Sequence, residues 1–446
     1  MKLHVTSLGC AKNMVDTEFM IGKLLKSGCS LTEYPEEAEI IIINTCSFIE
    51  SAINESIDTI LELAAFKQNG NCKKLIVAGC LPERFREKIA DALPEVDFFL
   101  GTGAFDKILD AVNGSFDNSV CYLPEPNSTP LQKADDSRYL ATPHMAYIKI
   151  AEGCDKKCTY CIIPKLRGKQ QSRTITDIVS EADALISAGV KELLLVAQET
   201  TDYGRDLTST DNIEKLLDEL SKISDDIWIR MLYSHPESIN ESLIKTIASH
   251  DNICSYYDIP IQHVSNSVLK RMGRQYTSND LHKLFETIKQ IDPHAALRTT
   301  VMTGFPGETD RDFQELLNFL KEIRFTHMGA FIYSDSEDIP SHKLPDHVNK
   351  EKSEERYNQL MFNQAKISLE NNRMHINKIY KVLLEKITPD GNVKGRTYFQ
   401  APEVDGLTYI TSNISEAGNH IGRFAMIEIT EAQEYDLTGK FYEHTL

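Results

Sequence analysis

A chain of 446 residues with 41% hydrophobic and 26% charged side chains has the make-up of an ordinary globular protein, on the scale of roughly two to four domains. Its formal charge of −18, from 48 basic against 66 acidic side chains, opposes nucleic acid unless a basic patch is local. No apolar run approaches a membrane span and the opening MKLHVTSLGC lacks a signal-peptide core, so a cytoplasmic protein with no membrane partner is expected.

Residues 1–113 form the first expected domain. Apolar runs at Leu3–Ser7, Ile40–Ile43 and Leu75–Ala78 predict strands. Between them lie helical patterns: Val15, Phe19, Met20 and Leu24 on one face, then Ser51–Phe66, then a helix around Phe85–Leu93. Strands alternating with helices over short links imply an open parallel α/β sheet. Ten cysteines are sparse over this length and gather at strand ends, which in a reducing compartment favours metal ligation over disulfides. Cys10 (LGCAKN), Cys46 (NTCSF) and Cys80 (AGCLPE) each follow an apolar strand. Strand C-termini of a parallel sheet share one edge, where ligands bind. Three βα turns would therefore bring three thiols together, enough for an iron–sulfur cluster with one open iron. The alternative is three small buried core thiols. Cys29, Cys72, Cys121 and Cys254 share no such placement and read as inert.

Residues 114–143 read as a linker, with Pro124, Pro126, Pro130 and the acidic pair Asp135 and Asp136. The second domain is placed at 144–368. Six strand-like runs, Ala146–Ile150, Glu192–Val196, Trp228–Leu232, Tyr256–Ile259, Leu297–Met302 and His327–Tyr333, alternate with helical patterns. That is a partial (βα)6 barrel, with its site at the C-terminal mouth of the strands and a lateral opening wide enough for a large substrate. Directly after the first of these strands come Cys154, Cys158 and Cys161, spaced C-x3-C-x2-C. A loop this tight wraps one corner of an iron–sulfur cube and leaves one iron open. A structural zinc site is the alternative, but zinc takes four protein ligands and normally C-x2-C pairs. Ser234, Gln262 and Arg298 are polar residues placed near the same mouth, Arg173 is placed to steady the cluster loop, and His235 and His263 read as structural histidines. Asn349–Arg373 reads as a long polar helix with Tyr357, Leu360, Met361, Gln364 and Ile367 inward, strapping the barrel to a third domain. That domain, 376–446, has five short β-type runs and predicts a small closed barrel of the oligonucleotide-binding type.

The loop Ala146–Arg173 closely resembles that of the radical S-adenosylmethionine (SAM) enzymes. The resemblance implies that the open iron chelates the amino and carboxylate groups of SAM, which one electron then splits into methionine and a 5′-deoxyadenosyl radical. It assigns Tyr160 to the aromatic position beside the last cysteine, and Gln198 and Glu199 of VAQET to a polar motif meeting the SAM amino group. Gly304 of TGFPGE is where backbone is expected to approach the cofactor. No catalytic residue beyond the cluster ligands is expected. As a whole the chain resembles the methylthiotransferases, and within them the RimO branch, through SLGCAKN, NTCSF, AEGCDKKCTYCIIPKLRG, LVAQETTDYG and RTYFQAPEVDG. Ala11 stands where that branch more often has Pro.

The resemblance to this branch implies two [4Fe-4S] clusters, held by Cys10, Cys46 and Cys80 and by Cys154, Cys158 and Cys161. It also implies a C-terminal TRAM module, an electron donor such as flavodoxin or ferredoxin, and methylthiolation of the β-carbon of an aspartate in a small-subunit ribosomal protein. The alternative within the family is a transfer-RNA adenosine enzyme of the MiaB type. An iron–sulfur electron carrier and a non-catalytic RNA-binding protein are the alternatives outside it. From Ile376 onward 7 basic side chains face 10 acidic ones, so RNA binding is not expected to be primary. A basic ribosomal protein suits an acidic surface, with Glu403 and Asp405 in the loop APEVDG placed to meet it.

Overall fold

The computed structural model describes residues 1–116, 119–128, 131, 138–411 and 420–442; Pro130, Asp135 and Asp136 lie outside the described residues. The N-terminal sheet runs β1 (Lys2–Ser7), β2 (Ser30–Leu31), β3 (Ile40–Thr45), β4 (Lys74–Gly79), β5 (Phe98–Leu100) and β6 (Cys121–Tyr122), in spatial order β2-β1-β3-β4-β5-β6. Every pairing is parallel. β3 is buried at all six positions, which is why its isoleucine run shows no alternation. The segment 114–143, expected as a linker, contributes the edge strand β6; a two-residue pairing leaves no periodicity to detect. The helix expected around Phe85–Leu93 is instead two short ones, Cys80–Phe85 and Lys88–Ala92. The first begins on Cys80 itself because Gly79 turns the chain at φ +98, where a Cβ would lie 2.3 Å from Asn44 Oδ1.

In the middle of the chain, β7 (Met145–Lys149), β10 (Glu192–Val196), β11 (Trp228–Met231), β12 (Tyr256–Asp258), β13 (Ala296–Thr303) and β14 (His327–Ile332) lie side by side and parallel, with β8 (Ala151–Glu152) and β9 (Gln171–Ser172) as a separate antiparallel pair. The joint between β11 and β12 is looser than the rest, made by Cys254 N–H to Ile229 O (2.9 Å) and Ser234 N–H to Asp258 O (2.9 Å). Alternate residues face opposite ways. Ile148, Leu193, Leu195, Ile229 and Val301 join the surrounding helices in one core. Tyr147, Leu194, Trp228 and Tyr256 pack in another, with Val15 and Phe19 of the helix Ala11–Lys26 and with the C-terminal strands. The structure is thus an α/β array with an incomplete six-stranded barrel, and the helix Ala11–Lys26 packs on β7 at its edge.

The C-terminal strands β15 (Ile379–Ile387), β16 (Val393–Thr397), β17 (Thr408–Ile410), β18 (Phe424–Ala432) and β19 (Leu437–Phe441) close into a barrel ordered β15-β16-β17-β19-β18. It docks against the N-terminal ends of the larger barrel's strands. Asp405 belongs to this joint rather than to a partner-facing loop. Its carboxylate accepts from Tyr256 Oη (2.6 Å) and Ala401 N–H (2.8 Å), lies 3.3 Å from Arg298 Nε, and is fully buried. Arg298 is bound here too, donating to Asp258 (2.8 Å), not at the mouth where it was placed: it lies near the start of β13. Glu403 remains exposed. The helix Lys350–Arg373 buries Leu360, Gln364 and Ile367, and its last turn reaches the small barrel through Asn372 Nδ2 to Gln433 O (2.9 Å). Among the described residues no helix is long and apolar enough to cross a membrane.

Candidate functional site

All six singled-out cysteines line one cavity of about 500 Å³ between the N-terminal sheet and the mouth of the larger barrel. On the first wall, β1, β3 and β4 are neighbours in the sheet, so their C-terminal turns are too. Cys10 precedes the helix Ala11–Lys26, Cys46 follows β3 and Cys80 opens its helix. Gly9, at φ +92, brings the Cys10 turn against Cys46; a Cβ there would sit 2.6 Å from Cys46 Cβ. Ser56 Oγ clamps Cys46, accepting from its N–H (3.2 Å) and donating to its carbonyl (2.8 Å).

The second wall is the loop between β8 and the helix Ile163–Arg167, which carries Cys154, Cys158 and Cys161. The β8–β9 pair ties its base, Cys154 N–H donates to Gly168 O (3.1 Å), and Thr159 N–H donates to Met272 O (3.0 Å). Burial pushes the Cys154 thiol up to about 11 and the Cys161 and Cys80 thiols up to about 12. Without a cation these thiols are neutral, and a coordinated metal reverses that outright. Among the described residues no three His, Cys, Asp or Glu side chains converge on a single-ion point; the two triads flank a space. Gln198 Oε1, Glu199 Oε2 and Ser234 Oγ, all on the cavity wall, are buried without a hydrogen-bond partner. Three such acceptors around one space suit a polar ligand, and the donor set fits iron–sulfur groups together with SAM.

The other expected residues divide. Tyr160 lines the cavity, its hydroxyl accepting from Arg274 Nη2 (2.5 Å). Gln198 is held by its Nε2 donating to Glu152 (2.5 Å), and Glu199 Oε1 accepts from Thr201 N–H (3.1 Å), while burial pushes the Glu199 carboxyl up to about 7. Ser234, His235 and Gln262 also line it. Burial and the nearby Arg274 guanidinium push His235 down to about 2, so it is a neutral ring. Gly304 does not line the cavity: its N–H donates to Glu308, and a Cβ there would meet Ser353 Oγ at 2.1 Å, so this glycine admits the long helix. His263 is buried elsewhere, accepting from Ser265 N–H (3.0 Å). Arg173 braces β7, donating to Lys149 O (3.0 Å) and Asp177 (2.7 Å), rather than the cluster loop. Lys12, Tyr233, Arg167 and Arg274 line the cavity but were not foreseen. Lys12 lies two places after Cys10, the one signal available for it.

Arg167 joins the two walls. It donates to Asn13 Oδ1 (2.6 Å) and Asp16 (2.9 Å) of the N-terminal helix, to Glu152 (3.2 Å) beside the cluster loop, and to Cys80 Sγ (3.7 Å). Lys149 shares Glu152 (2.6 Å) and lies 2.5 Å from Asp16. Arg167→Leu leaves two buried carboxylates with one cation, and loss of a buried pair's partner typically costs about 3–5 kcal/mol. A lower denaturation midpoint and faster protease cutting between the two walls are the expected result; an unchanged midpoint would show that apolar packing alone holds them.

Residues 2–101 match the model described as uncharacterized protein family UPF0004, residues 148–320 that of the radical SAM superfamily, and residues 376–441 that of the TRAM domain. A protein of Desulfosudis oleivorans named ribosomal protein uS12 methylthiotransferase RimO is 51% identical over 442 residues, 99% of this chain and 100% of that one. A protein of the same name from Clostridioides difficile is 46% identical, covering 98% of each. Among solved structures, the radical SAM methyltransferase TsrM of Kitasatospora setae superposes with a TM-score of 0.57 at 12% identity, over 76% of this chain and 74% of that one, a likeness of fold.

Proposed function

Since this chain belongs to the RimO family of ribosomal protein uS12 methylthiotransferases, we propose that it works with two [4Fe-4S] clusters and modifies the β-carbon of an aspartate of uS12. Cys10, Cys46 and Cys80 hold one cluster and Cys154, Cys158 and Cys161 the other. The observation that carries this reading is the facing of two cysteine triads across one cavity of about 500 Å³. When bound, the clusters and SAM supply the radical and the sulfur chemistry that an unactivated C–H bond requires.

The chain's own part is binding, placement and exclusion of water. Six thiolates hold the iron. Gln198, Glu199 and Ser234 offer their unpartnered oxygens to the SAM ammonium, with Tyr160 and Arg274 lining the same cavity. Phe48, Ile49, Ala52, Ile163, Leu166 and Phe331 give the cavity an apolar lining that keeps water from a reactive intermediate. Walls fixed by Arg167 keep the reacting centres at one separation, which is worth several orders of magnitude in rate. A flavodoxin or ferredoxin is the donor class for the electron. The acidic C-terminal barrel fits a basic protein partner better than RNA, and a ribosomal substrate supports a cytoplasmic location.

The test is anaerobic turnover of the iron-loaded enzyme with SAM, a reductant and either uS12 or transfer RNA, read by mass spectrometry of peptides and nucleosides. A methylthio group on an aspartate of uS12 is expected. A methylthioadenosine in the transfer RNA, with uS12 untouched, would refute the aspartate assignment.

A further inference from the structure

Among the described residues, two cations in the cavity, Arg274 and Lys12, have no carboxylate within ion-pair distance, and only Arg274 has side-chain hydrogen bonds in its place. Arg167 holds Asp16 and Glu152, and Lys156 lies 3.2 Å from Asp202 and 3.5 Å from Glu237. Arg274 is engaged by Tyr160 and His235. Lys12, in the first turn of the helix Ala11–Lys26, reaches across to the larger barrel instead. Its ammonium stands 3.6 Å from the centroid of the Tyr233 ring, and among the described residues no carboxylate oxygen comes within 4.0 Å of it. An ammonium has three donors, and a ring face occupies only one side of it. The partly buried ammonium thus keeps donors free to meet an anion in the cavity.

The ring beneath it is placed by a strained backbone. Tyr233 has φ +62, a left-handed conformation rare for a bulky residue. It is fixed by its N–H donating to Asp258 Oδ2 (2.9 Å) and its carbonyl accepting from Thr200 N–H (3.0 Å). Gln262, on the same wall, has φ +64. Strain of this kind persists where the surroundings over-determine it and gathers at ligand sites.

We propose that Lys12 is the residue that binds the side-chain carboxylate of the substrate. This rests on the aspartate reading above and deepens it. In an aspartate the carboxylate carbon is bonded directly to the β-carbon, so a fixed carboxylate holds the reacting carbon within one bond of a known point. Lys12 comes from the turn of Cys10 and lies over Tyr233, which follows β11 of the larger barrel, and both line the cavity that holds the two triads. Apolar neighbours strengthen the charge-assisted hydrogen bond and penalise an uncharged amide in its place.

The experiment compares two synthetic peptides spanning the target loop of uS12, one with the native Asp and one with Asn. Holoenzyme is prepared as wild type, Lys12→Met and Lys12→Arg, with both clusters checked by their electron paramagnetic resonance signals. Wild type is expected to prefer the Asp peptide. Lys12→Met is expected to raise KM for that peptide roughly tenfold to a hundredfold, the usual effect of losing a hydrogen bond to a charged group. It is also expected to erase the Asp-over-Asn preference in binding, which Lys12→Arg restores. A preference that survives in Lys12→Met, accompanied by a shifted reduction potential of the N-terminal cluster, overturns the proposal: Lys12 then balances the Cys10 thiolate. Wild type that modifies uS12 at a residue other than aspartate overturns the underlying reading, an outcome distinct from either.

Discussion

If the two clusters proposed above are held separately, replacing Cys154, Cys158 and Cys161 together by Ala is expected to abolish 5′-deoxyadenosine formation from SAM while leaving about half of the iron and sulfide bound. Replacing Cys10, Cys46 and Cys80 is expected to do the reverse, keeping SAM cleavage and abolishing insertion of sulfur into uS12. The two outcomes separate because the triads are built by different elements. The first hangs from the ends of three adjacent strands of one sheet, and the second from a loop tied by the β8–β9 pair and by Met272. Among the described residues the first set meets the ties of the second through Cys80, by the long contact of Arg167 with its sulfur and by its packing against Ile162 and Leu166. Iron and sulfide analysis beside product analysis checks this. Loss of all iron from either triple variant, with circular dichroism unchanged, would leave a single shared centre as the only reading.

The same contrast explains what the sequence makes legible. The strand Glu192–Val196 is found at its observed ends because an unbroken apolar run between polar flanks marks a strand buried on both faces. The cysteines of the first wall are legible without any short motif, since a parallel sheet puts all its strand ends on one edge. Arg167 is not legible: its value lies in Asn13, 154 positions away, and in Asp16, 151 positions away. Asp405 shows the opposite error. In sequence it is an acidic loop residue, and only the meeting of Tyr256, Arg298 and Ala401 reveals a buried carboxylate. Gly304 resembles a cofactor-facing glycine because a glycine forced by a packed helix and one forced by a ligand leave the same letter.

Glu192→Ala is expected to release the C-terminal barrel from the rest of the chain. Glu192 opens β10 and is fully buried between two guanidiniums that are fully buried themselves. Arg230 Nε donates to one oxygen at 2.7 Å, and Arg396 Nη2, from β16, donates to the other at 2.5 Å. Removing the carboxylate leaves Arg230 without a carboxylate partner and Arg396 with Glu385 alone (2.6 Å), and breaking such a set typically costs about 3–5 kcal/mol. Trp228 against Phe424, with centroids 4.7 Å apart, keeps some apolar contact across the joint, so the expected result is loosening rather than global unfolding. Limited proteolysis should then free a C-terminal fragment that wild type retains. The pH dependence follows in sign. Burial alone would raise the carboxyl, but Arg396 and Arg230 outweigh it and hold Glu192 below the usual carboxylate range. A carboxyl depressed in the folded state contributes stability above its unfolded value and loses it as pH falls through the folded one. Wild type should therefore shed the small barrel in acid. Glu192→Gln, which has no such proton to gain, should be weaker at neutral pH and flatter across the acid range. Equal protease resistance of wild type and Glu192→Ala at neutral pH would show that the apolar contacts hold the joint without the ion set.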